Sequence, residues 1–162
     1  GIYTLAIKAP EGSVGDYDLV INRGDGENCL ADDWQVGGWP NSYNYSLNSQ
    51  DAVNAFSHGN AAHYFYDDVE LNGERDSSLA YTFTLDAWGS NPLEDPYLYL
   101  LDPECQVYEQ DDDSSSGSDY GSEIEVAAGF PYDGIWTLVA TSYYGSESSQ
   151  GEGGVELAVA RQ

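Results

Sequence analysis

The chain has 162 residues, with 29 Asp and Glu against four Lys and Arg, and a formal net charge of −25. That charge repels phosphate backbones and anionic lipid, so nucleic acid and membrane surfaces are excluded as partners, and no apolar run approaches the length needed to span a bilayer. Fourteen Tyr, four Trp and eighteen Gly do not make a disordered acidic tail, because the aromatic rings supply a core. Cations are what such a chain attracts, either as a diffuse shell around a soluble secreted protein or gathered at a calcium site.

The first strands expected are Ile2-Tyr3-Thr4-Leu5-Ala6-Ile7 and Tyr17-Asp18-Leu19-Val20-Ile21, separated by the turn Pro10-Glu11-Gly12-Ser13. Residues 23–62 are rich in Asn, Ser, Gly and Trp and read as a connection. Within them, residues 49–57 are the one helix candidate, with Asp51 as cap and Gly59 as stop. Residues 79–85 alternate, placing Leu79, Tyr81, Phe83 and Leu85 on one face. Further strands follow at 97–101, 106–109, 123–126, 135–140 and 155–159, broken by Gly, Ser, Asp and Pro. This spacing predicts an all-β, jelly-roll-like antiparallel β-sandwich with Tyr81, Phe83, Leu85, Leu98, Leu100, Ile124, Trp136 and Leu138 in its core.

One internal echo bears on domain organisation. Gly1-Ile2-Tyr3-Thr4-Leu5 returns as Gly134-Ile135-Trp136-Thr137-Leu138, and each is followed by a turn and a second apolar strand. Two similar hairpins suggest an array of related modules. Residues 1–22 then form a hairpin like the end of a preceding module, 23–62 connect, and 63–162 form the sandwich domain. With no Met and Gly1 first, a piece of a larger precursor with neighbouring domains is expected.

Five ordered blocks carry a resemblance. They are Tyr81-Thr82-Phe83-Thr84-Leu85, then Asp95-Pro96-Tyr97-Leu98-Tyr99-Leu100-Leu101-Asp102-Pro103, Asp111-Asp112-Asp113, Ser122-Glu123-Ile124 and Gly134-Ile135-Trp136-Thr137-Leu138-Val139. Across residues 63–160 the chain resembles the bacterial pre-peptidase C-terminal domain. Cys105 stands where that family has the Gly of a tight turn, and Trp136 replaces its usual Tyr. The resemblance implies a jelly-roll sandwich found beside secreted hydrolases, in a group whose members include binders of calcium, collagen or polysaccharide.

The acidic loop Asp111-Asp112-Asp113-Ser114-Ser115-Ser116-Gly117-Ser118-Asp119 is the candidate calcium site, because a hard cation with six to eight oxygen ligands offsets the repulsion of adjacent carboxylates. Asp95 and Asp102, flanking the neighbouring strand, are expected to converge on it. The spacing is not that of an EF-hand. Asp25, Glu27, Asp32 and Asp33 form a weaker second cluster. Trp34, Trp39, Tyr43 and Tyr45 are the carbohydrate-binding candidates; the competing reading is that these rings cover the sandwich. Cys29 and Cys105 fit no zinc pattern. In an oxidising compartment they can pair and close a loop worth about 4 kcal/mol; otherwise they are two free thiols.

His58 and His63 are the only histidines, and neither sits in a nucleophile-elbow or H-E-x-x-H motif. The chain therefore reads as a non-catalytic accessory or interaction module of a secreted bacterial protein, stabilised by calcium, with polysaccharide or an extracellular protein as partner. The alternative is a carbohydrate-binding module of a polysaccharide-degrading enzyme.

Overall fold

A computed structural model of the protein describes residue 29 and residues 42–55, 61–73, 76–115, 120–131 and 133–162. Among these residues there is no α-helix. Nine strands form two sheets: β1 (Ser42–Leu47), β2 (Val53–Ala55), β3 (Ala61–Asn72), β4 (Tyr81–Ala87), β5 (Pro96–Leu101), β6 (Val107–Asp111), β7 (Ser122–Val126), β8 (Asp133–Ser142) and β9 (Gly153–Arg161). One sheet has the order β1-β9-β4-β7 and the other β2-β3-β8-β5-β6, and all neighbours pair antiparallel. The chain is the expected antiparallel β-sandwich.

The strands follow from which faces they bury. In β4, Tyr81, Phe83 and Leu85 are buried while Thr82 and Thr84 are only partly so, the alternation of a strand with one face on the core. Phe83 lies opposite Ile124 of β7 on one side and Val159 of β9 on the other. Trp136, Leu138 and Ala140 of β8 and Leu98 and Leu100 of β5 meet this set from the second sheet. All eight expected core residues fall in this one cluster. Trp136 is fully buried, with the rings of Tyr108 and Phe130 edge-on to it at 4.8 and 5.7 Å.

The five-stranded sheet is covered on both faces at β5, where every residue is buried. Tyr97, Tyr99 and Leu101 turn away from the main core and join Tyr64, Tyr66, Val139 and Cys29 in a second cluster. Cys29 is disulfide-bonded to Cys105, with 5.3 Å between their Cα atoms and 76 residues of separation. Cys105 sits at φ 61°, the left-handed conformation that glycine adopts most readily.

Three expectations need correction. The stretch 23–62 is not only a connection: β1 pairs along β9, and β2 pairs with β3, so residues 42–55 belong to the sheets. No helix forms over 49–55. Asp51 closes a turn instead, accepting the Asn48 N–H at 2.8 Å and the Tyr45 hydroxyl at 2.6 Å, and the chain then runs into β2. A helix so short has little stability of its own, whereas β3 offers a ladder of backbone partners. Finally, β8 and β9 do not form a hairpin; they lie in opposite sheets. The hairpin expected over residues 1–22 lies outside the described residues.

Candidate metal centre

Strand pairing brings the acids together. In the β5–β6 hairpin Leu98 lies opposite Asp111, so the start of β5 meets the end of β6. Asp95 immediately precedes β5, and Asp112 and Asp113 immediately follow β6. Each of the three offers a carboxylate oxygen, and these oxygens lie within 4.8 Å of one another. Two full charges at that distance repel by about 3–4 kcal/mol at an effective dielectric constant of 20, less where solvent screens them. A cation with ligand distances of about 2.3–2.6 Å fits between oxygens so spaced.

The electrostatics register the crowding. Burial, then the charges of Asp112, Asp113 and Glu94, push the Asp95 carboxyl up to about 6. Burial, then Asp113 and Asp111, raise Asp112 as well. Asp95 Oδ1 is buried and accepts no hydrogen bond from the described residues. A carboxylate oxygen turned inward with no donor is an expensive arrangement unless a proton or a cation sits against it.

Hydrogen bonds hold the surrounding loops. The fully buried Ser122 hydroxyl lies 2.8 Å from the Pro96 carbonyl and 3.2 Å from the Asp112 carbonyl, tying both acidic segments to β7. Asp111 Oδ2 accepts the Glu123 N–H at 2.8 Å and the Ser114 N–H at 3.1 Å. Ser115 donates to Asp86 Oδ1 at 2.6 Å. Sequence reading did not single out Ser122 as a positioning residue; it entered only as the first residue of the Ser122-Glu123-Ile124 block.

The other candidates divide. Asp111 adjoins the cluster, but its Oδ2 anchors the loop. Asp102 does not converge. It lies at the far end of β5, some 23 Å along the strand at about 3.3 Å per residue. There its Oδ1 accepts the N–H groups of Glu104 and Gln106, both at 2.9 Å, and shapes the turn that carries Cys105. Asp119, the acids between residues 25 and 33, Trp34 and Trp39 lie outside the described residues, as does the side chain of Tyr43. Tyr45 is half-buried. Its ring packs on Phe65 at 4.5 Å and its hydroxyl is bonded to Asp51, so it covers the sandwich edge. His63 is buried, with Nδ1 3.0 Å from the Asp51 carbonyl oxygen.

No family model matches the chain, and no curated protein does. Among solved structures, the crystal structure of Aeromonas hydrophila PliG, a periplasmic lysozyme inhibitor of g-type lysozyme, is similar at 13% identity and a TM-score of 0.40. The match covers 80% of this chain and 93% of that one.

Proposed function

We propose that this chain is a non-catalytic interaction domain of a secreted bacterial protein, of the pre-peptidase C-terminal type, whose sandwich is locked by calcium held between Asp95, Asp112 and Asp113. The observation that carries the calcium reading is Asp95, whose Oδ1 is buried without a donor among the described residues and whose carboxylate clusters with two others. Calcium suits the all-oxygen donor set and the loose geometry of a loop beside a strand. Backbone carbonyls and water would complete its shell. The Cys29–Cys105 disulfide supports an oxidising compartment outside the cytoplasm. The buried, structurally engaged His63 favours a binding role over catalysis.

The test is calorimetric titration of chelator-treated protein with calcium chloride at pH 7.5. One bound ion per chain is expected, and Asp95→Asn should abolish the heat. Full-affinity binding to Asp95→Asn would remove the site from this cluster. The partner in this reading is an extracellular protein or polysaccharide.

A further inference from the structure

The loop from β4 to β5 opens with Trp88-Gly89-Ser90-Asn91 and folds against β9. Gly154 is its anchor. The Gly154 N–H donates to the Asn91 carbonyl at 2.8 Å, and its carbonyl accepts the N–H groups of Trp88 and Leu93, both at 2.9 Å. A side chain at Gly154 would collide with the Trp88 carbonyl oxygen, and Gly89 turns the loop at φ +86°. The loop is therefore held by backbone contacts that only glycine permits.

Between this loop and β1 lies a depression of about 520 Å³. Asn44, Tyr45 and Asn48 line one side, and Trp88 and Asn91 the other. Among the described residues no charged side chain lines it, in a chain with 29 acids. The Asp51 carboxylate that fixes Tyr45 and Asn48 is engaged with both. Trp88 is 47% exposed, and among the described residues its indole has no hydrogen-bond or ring partner. The side-chain amides of Asn44 and Asn91 are likewise unengaged there.

We propose that this depression is a binding site for a neutral oligosaccharide. A sugar ring has apolar C–H faces and a rim of hydroxyls. The Trp88 indole offers a flat platform for the first, and the amides of Asn44 and Asn91 offer donors and acceptors to the second. A preformed loop loses little entropy on binding. The volume suits a ligand of drug-like size, such as a di- or trisaccharide segment of a longer chain. Uronic or sulfated sugars are disfavoured by the net charge of −25. Of the aromatics expected from sequence, Tyr45 lines this depression, as wall rather than platform; Trp34, Trp39 and the side chain of Tyr43 lie outside the described residues. This inference rests on the reading of the chain as an interaction domain, but not on calcium.

The experiment is calorimetric titration of the intact chain with cellohexaose, xylohexaose, mannohexaose and chitohexaose, with polygalacturonate as the anionic control, in calcium and again in chelator. At least one neutral hexaose is expected to bind. Trp88→Ala should weaken that binding roughly tenfold or more at an unchanged melting temperature. If Trp88→Ala melts well below wild type, the Asn44→Ala/Asn91→Ala double variant decides: loss of binding supports the site and full affinity overturns it. Binding of none of the four, undiminished binding by a folded Trp88→Ala, or preference for polygalacturonate would overturn it as well. Release of reducing ends from a bound hexaose would support the site and overturn only the non-catalytic reading.

Discussion

Asp95 concentrates the tension in this molecule into one carboxyl group. Its proton is held up to about pH 6 in the folded state, against 3.8 for the unperturbed group. The metal-free fold therefore binds that proton more tightly than the unfolded chain does, and loses stability as pH rises from about 4 through about 6. Because Asp95 is partly exposed, screening reduces the effect to about 1 kcal/mol. In chelator, Asp95→Asn should melt later than wild type at pH 7.5 and equal to it at about pH 3, below both values, as read by differential scanning calorimetry. Diffuse repulsion among the other acids acts on both proteins, so the difference between them isolates this residue. A second single-residue effect is steric. Gly154→Ala pushes a methyl group into the Trp88 carbonyl and should cost at least about 2 kcal/mol by urea titration, although alanine is otherwise acceptable in a strand.

The elements show where sequence patterning has force. β4 was legible because it buries one face only, and period-two alternation survives there. β3 was not, because Ala62, His63, Tyr64, Phe65 and Tyr66 are all buried on a sheet covered on both sides, and no alternation remains to read. β1 was missed for the opposite reason: Ser42, Asn44 and Ser46 are exposed and carry the composition of a loop. The acidic site was half legible. Adjacent strands that form a hairpin bring Asp95 to Asp112 and Asp113, but seven residues of extended chain separate Asp95 from Asp102, and charge counting does not see direction. Trp88 escaped notice because Trp-Gly-Ser-Asn reads as punctuation; the signal available was a large apolar ring inside a turn. A consequence follows for β1. A chain beginning at His63 leaves β9 with a bare edge and lacks the Cys29–Cys105 bond, so it should melt roughly 15 °C or more below the full chain. Reduction of the disulfide in the full chain removes a constraint worth about 4–5 kcal/mol by loop-closure entropy and should account for most of that loss, with thermal melts in and out of reductant as the check.

At the scale of the whole molecule, a charge of −25 acts in two separable ways. Diffuse repulsion among exposed acids falls with ionic strength whatever the cation. The proposed site at Asp95, Asp112 and Asp113 would respond to calcium beyond the effect of ionic strength, because it would reward a divalent ion that fits between three oxygens. A ligand that binds only the folded state raises stability by about 2.7 kcal/mol at a hundredfold excess over its dissociation constant. The most direct test is the melting temperature of chelator-treated protein at pH 7.5 in calcium chloride and in sodium chloride of matched ionic strength, for wild type and for Asp112→Asn/Asp113→Asn. Calcium should raise the wild-type melting temperature by roughly 5 °C or more above sodium, and the double variant should lose that difference. Equal melting temperatures of wild type in the two salts, or a double variant with its calcium response intact, would contradict a calcium lock at this end of the sandwich.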